Sequence, residues 1–382
     1  MASRYEGLRG LRVLDFTQVL SGPFASMLLA DAGSDVVKVE RPPAGDITRQ
    51  WGPPFVQEES LYFAAFNRGK KSLVADLTEA GDRALVWELA RRADVVLENL
   101  RPGTLEKYGL GYADLRRELP GLIYVSIRGY RADSSRAQDP ALEVVLEAES
   151  GLMAITGTGE PVRQGIAVID MMTGSFAVAR ILDALYNRER TGRGQHVVLS
   201  LQETAELIMT HPYLAHSKAH APYPPGGTTH PSIAPYEHFR TRDRPIILGA
   251  VNDPEFRRLA TTLGHPEWTG GSWSTNAGRV ADRARLHETL QGILITEPGV
   301  IWVERFRQAK LVVGLVRSLD LATDTWFHGE SPKLVSHDDR YGTLTYPASP
   351  WAMDGEVNAA PQLGAHHDEI VDRWLGEKRV PE

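Results

Sequence analysis

The sequence predicts an α/β protein built on a doubly wound parallel sheet. Three observations carry this. Short apolar runs recur along the first two hundred residues, helical segments lie between them, and the first strand–helix–strand unit is compact enough to force parallel pairing. Leu11–Phe16 (LRVLDF) is a run suited to a buried parallel strand. Gly22 and Pro23 follow, then FASMLLADAG, a helix with Gly33 as its C-cap. Asp35–Val39 (DVVKV) is the second strand, and this βαβ unit requires a right-handed crossover. Glu79–Arg92 reads as a helix, and Asp94–Leu97 and Leu122–Ile127 as further strands. Met171–Arg188 reads as a long helix with Phe176, Ala177, Ile181, Ala184 and Leu185 on one stripe. The turn Thr191–Gln195 then leads to the strand HVVLSL.

Residues 217–233 are rich in Pro, Gly, Thr and His, a composition that suits a linker or mobile loop and marks a domain boundary. Beyond it Tyr236–Val251 reads as hairpin-like strands, followed by two or three amphipathic helices as far as Gln308.

The chain has 382 residues, enough for two domains, and its 24% charged residues are ordinary globular usage. A net charge of −7 provides no basic field for nucleic acid. The absence of cysteine removes disulfides, thiolate nucleophiles and Cys-containing zinc sites together. The N-terminus lacks the charged-then-apolar layout of a signal peptide, and no apolar run reaches the roughly 18 residues of a membrane span. A cytoplasmic protein without a membrane partner is expected. The dinucleotide fingerprint is missing: TQVLSGP after the first strand has one glycine, and TGTGEP at Thr156–Pro161 lacks the third.

Without sulfur, the nucleophile candidates are Ser, Thr, Lys and carboxylates. There is no G-x-S-x-G elbow, S-x-x-K or H-E-x-x-H. The segment GIAVIDMMTG, Gly165–Gly174, delivers Asp170 to the mouth of the long helix, where free N–H groups and the helix dipole favour an anion. Spacing alone leaves two readings open, an N-cap and an active-site carboxylate. His211, His216, His220 and His230 cluster in sequence near the linker; a metal site would need convergent geometry, and surface or acid-recognition roles are expected instead.

Six collinear segments resemble the class III CoA-transferases, the group of formyl-CoA and carnitine CoA-transferases and a related α-methylacyl-CoA racemase. They are LRGLRVLDFTQVLSGPFASMLLADAGSDVVKVERPPAGDITR, SLYFAAFNRGKKSLVADL, ENLRPGTLEKYGLGY, GIAVIDMMTGSFAVARILDALYNRERTGRGQHVVLSL, HPSIAPYEHFRT and PQLGAHHDEI. The resemblance implies that Asp170 is the nucleophile, attacking an acyl-CoA thioester and passing CoA to a carboxylic acid. Coenzyme A would then be a substrate, with no permanently bound cofactor. A carboxylate of reference pKa about 3.9 is ionised at neutral pH and needs no general base.

The resemblance also implies where CoA lies. It places Val19 and the Ser21–Gly22 turn beside the adenosine end, and Arg41 and Asn67–Lys71 (with Lys70 and Lys71) near adenine and phosphates. Two adjacent lysines of a strand point to opposite faces, so one of them at most touches phosphate. Asn99, Pro102 and Gly103 resemble the pantetheine-lining loop, with Lys107 further along the same segment, and Gly226 and Gly227 are the nearest match to a glycine-rich loop of oxyanion donors.

In Pro140–Gly151 the resemblance puts Glu143 at the acidic position of the formyl-CoA type, which implies a supporting role at the active site. Leu142 stands where the racemase branch has its catalytic His, and leucine cannot exchange a proton. The alternatives are an acyl-CoA racemase or isomerase, and a CoA-ester-binding protein without turnover. Glu147 and Glu149 are expected on an exposed helical face, and Arg128, Arg131 and Arg136 are candidates for the second carboxylate of a dicarboxylic acid. The resemblance further implies an interlocked homodimer. Its Rossmann-like large domain would be discontinuous, residues 1–216 and 326–382, with a smaller α+β domain at 217–325.

Overall fold

The computed structural model describes residues 7–220, 222–352 and 355–376. Ala221 of the Pro/Gly-rich stretch and the first six residues of the N-terminal segment lie outside the described residues. The chain divides into two compact units. One comprises Met1–Ser150, Gln164–Thr210 and Ser331–Glu382; the other comprises Gly151–Arg163 and His211–Glu330.

The first unit holds a six-stranded parallel sheet made of β1 (Arg12–Asp15), β2 (Asp35–Glu40), β3 (Lys71–Val74), β4 (Val95–Glu98), β5 (Ile123–Arg128) and β6 (His196–Ser200). Its order is β3-β2-β1-β4-β5-β6, so the chain winds one way from β1 to β3 and the other way from β4 to β6. Each strand is a short run whose alternate side chains leave by opposite faces. Val13, Val36, Val95 and Ile123 pack with Leu29 and Ile181 from α1 (Ser21–Asp31) and a long helix, Val168–Thr191. Their neighbours Leu14, Val37, Val96 and Tyr124 pack on the other side with Leu89 from α2 (Ala80–Ala90) and Trp374. Each such apolar side chain, wholly removed from water, contributes about 1.5–3 kcal/mol.

Three helices complete the surroundings of the site: α3 (Glu143–Glu149), α4 (Val168–Thr191, the long helix above) and α5 (Leu201–Ile208). The last helix, α6 (His367–Leu375), returns to the start of the sheet, where the fully buried Trp374 donates its indole N–H to Asp35 at 2.8 Å. The unit also carries the antiparallel pair Lys333–Asp338 and Gly342–Pro347.

The second unit is α+β. Strand Ile246–Gly249 lies between antiparallel partners Tyr236–Phe239 and Val312–Leu315. Phe239, Ile246, Phe256, Leu290 and Phe306 form its core, drawn from the strands and from helices Asp253–Thr262, Arg283–Leu294 and Gly299–Gln308.

Two expectations change. The edge strand Lys71–Val74 is not evident from the sequence, because KKSLV is short and opens with two charges. The long helix begins three residues ahead of Met171, capped by the backbone of Ala167, so Asp170 lies inside its first turn and is not the N-cap.

Candidate active site

The strand order reverses between β1 and β4, and a crevice opens there beyond the carboxyl ends of the strands, where open α/β sheets hold their ligands. β1 ends at Asp15, whose side chain is wholly buried. Its Oδ1 accepts from the N–H of Thr17 at 2.8 Å and the hydroxyl of Thr17 at 2.5 Å, and its Oδ2 from the hydroxyl of Ser26 at 2.6 Å. Lys70 approaches the same carboxylate at 3.4 Å. Burial would raise the Asp15 carboxyl, but Lys70, Lys38 and the two hydroxyls hold it below its ordinary 3.8. Burial draws Lys70 down to about 7, a fall that the attraction of Asp15 offsets only in part.

The turn that follows β1 is held at three successive residues. Lys38, fully buried on β2, donates to the Thr17 carbonyl at 2.5 Å and pairs with Asp46 at 2.9 Å. The Gln18 backbone is bonded by Asn99, which follows β4, through both its N–H and its carbonyl at 2.8 Å each. The Val19 N–H points to Asp46 Oδ1 at 3.4 Å. These anchors fix Val19 at a φ of +67°, in the left-handed region that β-branched residues rarely enter. Strain of this kind costs about 1–3 kcal/mol and persists where the surroundings over-determine it.

Glycine decides how the helices meet. A Cβ on Gly22 would lie 2.3 Å from the Thr17 side chain, so only glycine lets α1 start directly off the turn. A Cβ on Gly174 would lie 2.5 Å from the Ser21 carbonyl oxygen, so α4 and α1 touch backbone to backbone. That approach sets the first turn of α4, with Asp170, near the first turn of α1. The early N–H groups of both helices lack intrahelical acceptors and favour negative charge. Further along α4, the Thr173 hydroxyl donates to the Ile169 carbonyl and bonds Thr204 of α5, each at 2.8 Å.

A cavity of about 270 Å³ results, lined by Asp170, Glu143, Gln18, Val19, Ser21, Asn99, Arg101 and Arg128, with Leu20, Leu100, Ile127, Ala141, Leu142 and Leu201 as its apolar wall. The expected residues Asp170, Glu143, Val19, Ser21 and Asn99 are thus brought together. Asp170 and Glu143 are 9% and 6% exposed, reachable but largely desolvated. Pro102 and Gly103 continue the Asn99 segment as a turn closed by Thr104 N–H to the Arg101 carbonyl, and Lys107 is exposed on the short helical turn that follows. Arg41 is exposed just after β2.

Several expectations are corrected by what the side chains do. Lys70 is wholly buried and bonded to Asp15, Asn67 and the Pro23 carbonyl, so its ammonium is structural and does not face a phosphate. Asn67 is buried too, bonded to Lys70 and the Phe63 carbonyl. Lys71 pairs with Asp35 and Glu369, each at 3.0 Å. Glu147, expected to be exposed, is fully buried and accepts from the Gln164 N–H, whereas Glu149 is exposed and pairs with Arg136. Arg128 is committed to Glu98 through two bonds of 2.6 and 2.8 Å, and Arg131 to Asp133. Gly226 and Gly227 belong to the second unit, where the Gly227 N–H donates to the Gly157 carbonyl. Sequence reading missed Gln18, Arg101, Lys38 and Asp46. The signal available for the last two was charge in and beside an otherwise apolar strand.

Residues 8–367 match the family described as CoA-transferase family III. The chain belongs to that family. A succinyl-CoA:glutarate CoA-transferase of Mus musculus is 39% identical over 380 residues, covering 96% of this chain and 86% of that protein. A succinate–glutarate CoA-transferase of Agrobacterium fabrum is 40% identical over 299 residues, 76% of this chain and 75% of the relative. A crystal structure of a CAIB/BAIF family protein from Brucella suis has the same fold, with a TM-score of 0.84 at 32% identity, covering 97% of this chain and all of that one. This family III CoA-transferase is therefore an enzyme that moves CoA between an acyl-CoA and an acid. Among the described residues no helix is long and apolar enough to cross a membrane, and no group of three His, Asp or Glu is placed to hold a metal ion.

Proposed function

We propose that the enzyme transfers CoA through a covalent aspartyl-CoA thioester on Asp170. The observation that carries this reading is the position of Asp170, in the first turn of α4 and facing the cavity at the sheet's switch point. A carboxylate oxygen of Asp170 attacks the thioester carbonyl carbon, the carbon–sulfur bond breaks, and CoA thiolate leaves a mixed anhydride. The thiolate then attacks the Asp170 carbonyl of that anhydride and expels the first acid as its carboxylate. An acceptor carboxylate attacks the resulting aspartyl thioester and releases the thiolate again. The thiolate finally takes the acceptor's acyl group from the second anhydride and frees Asp170. One negative charge is carried throughout, so no proton has to be moved.

The helix-start N–H groups near Asp170 suit the oxyanions of these steps. Val19, Ser21, Asn99, Pro102 and Gly103 line the path of CoA, and Arg41 and Lys107 are the exposed cations left for its phosphates. Glu143 shares the cavity and supports the acid end. Leu142 there is apolar, which favours transfer over racemisation. The relatives named for succinyl-CoA and glutarate support a dicarboxylic acceptor and a dicarboxylyl-CoA donor. The working form in this reading is an interlocked cytoplasmic homodimer, which light scattering tests.

Incubation with succinyl-CoA and hydroxylamine should convert Asp170 to its hydroxamate, seen by peptide mass, and Asp170→Ala should abolish transfer. Normal transfer by Asp170→Ala would overturn the mechanism.

A further inference from the structure

We propose that Glu147 is a positioning residue for Asp170, doing from outside α4 what a capping side chain does at a helix start; this rests on the reading of Asp170 as the nucleophile. α4 begins without such a cap. Its N-cap is Ala167, at φ −78° and ψ 73°, and no side chain caps the N–H groups of its first turn. A helix start of this kind frays, and Ser, Thr, Asp or Asn at the N-cap ordinarily holds it. Such a side chain here would occupy N–H groups that suit the oxyanions of the reaction. Asp170 stands in this uncapped turn, so its order must come from elsewhere.

Two anchors bracket it. On the helix side the Thr173 hydroxyl donates to the Ile169 carbonyl and is bonded to Thr204 of α5, each at 2.8 Å. On the other side, the chain leaves this unit after Ser150 and re-enters it at Gln164. The Gln164 N–H there donates to Glu147 Oε2 at 3.0 Å. Between the anchors the path is open: Gly165 and Ile166 are exposed, and a Cβ on Gly165 would meet nothing within 4 Å. Glu147 lies on α3, which packs on both α4 and α5, and is fully buried. Its Oε1 is buried as well and has no hydrogen-bond partner among the described residues. A carboxyl group with one oxygen left unsatisfied in the interior costs stability. Sequences retain such violations of local stability where a site depends on them.

The test compares the wild type, Glu147→Leu and Glu147→Gln, with succinyl-CoA as donor and glutarate as acceptor. It reads kcat, KM for succinyl-CoA, the rate of hydroxylamine trapping at Asp170 and the thermal unfolding midpoint. Leucine removes the acceptor and the unsatisfied oxygen together, so the midpoint should hold or rise. The half-buried Gln164 N–H then turns to water and the approach to α4 loosens. Both kcat and the trapping rate should fall about ten- to a hundred-fold, with KM for succinyl-CoA within about two-fold of the wild type. Glutamine keeps an acceptor for the same N–H and should recover kcat to within about three-fold. A Glu147→Leu enzyme that traps and turns over at the wild-type rate overturns the assignment, as does a Glu147→Gln enzyme equally slow as Glu147→Leu. A fall in kcat matched by a fall in midpoint gives Glu147 a role in stability alone and overturns it too. Absent trapping in the wild type sinks instead the nucleophile on which the role rests.

Discussion

Asn99 grips the backbone of Gln18 from both sides, its Oδ1 accepting from the Gln18 N–H and its Nδ2 donating to the Gln18 carbonyl, each at 2.8 Å. The pair ties together the loops that leave β1 and β4, the two strands between which the sheet changes direction. Asn99→Ala leaves a half-buried N–H and carbonyl without these partners, at a cost of about 1–3 kcal/mol. Asn99→Asp keeps one bond but turns a second acceptor toward the Gln18 carbonyl, so it should lower kcat further than the alanine variant. Denaturant unfolding alongside steady-state kinetics checks the order of the two.

Asp46→Asn should destabilise by about 3–5 kcal/mol, because it leaves the Lys38 ammonium buried without its anion. The double variant Lys38→Met/Asp46→Leu should regain most of that stability, since an apolar pair of similar volume suits the same space. It should nevertheless stay slow, having lost the bonds that hold Thr17 and Val19. Full recovery of kcat along with stability would show that the pair does not position the turn.

The same pair fixes a pH signature. Burial would raise the Asp46 carboxyl, but Lys38 and Thr48 hold it below its ordinary 3.8. Burial would lower Lys38, but Asp46, Asp15 and Glu40 hold it above its ordinary 10.5. A depressed acid contributes stability above its unfolded pKa and loses it as pH falls through the folded value. A raised base contributes below its unfolded pKa and loses it as pH rises through the folded value. Both contributions are therefore complete between 3.8 and 10.5. The contribution of this pair to the stability difference between the wild type and the double variant should be flat from about pH 5 to 9 and shrink only in stronger acid or base. Urea midpoints across pH measure it; a slope centred near 7 belongs to Lys70, which both Lys38 and Asp46 face, whereas a slope near about pH 5 or 9 would contradict the pairing.

Gly174→Ala pushes a methyl group to within 2.5 Å of the Ser21 carbonyl oxygen. The helices must part, at about 1–3 kcal/mol, and Asp170 moves with α4. We expect a fall in kcat larger than that of an alanine at an exposed face of the same helix, such as Arg180→Ala, with thermal unfolding as the stability control.

The central sheet was legible because its inner strands are buried on both faces and read as unbroken apolar runs, as Val95–Leu97 do. Lys71–Val74 was not, because an edge strand shows only one apolar pair between polar ends. Asp170 was found near a helix start, but its place within the first turn was hidden: Val168 and Ile169 suit the end of a strand as well as a helix, and no capping side chain marks the boundary. Pairing across the sequence was beyond reach. Nothing local tells Arg128 that Glu98 awaits it on the neighbouring strand, and strand alternation predicts that Lys70 and Lys71 diverge without saying which of them is buried.

The bond from Trp374 to Asp35 joins residues 339 positions apart. A ribosome adding about 5–20 residues per second needs roughly 20–70 seconds between the two. Through that interval one face of the early strands, with Leu14 and Val37, waits for the helix that brings Ile370 and Trp374 to cover it. The nascent chain therefore emerges with a sticky, half-dressed sheet. Its yield in the cell should therefore fall when that last helix is removed, an effect that no property of the finished enzyme reveals.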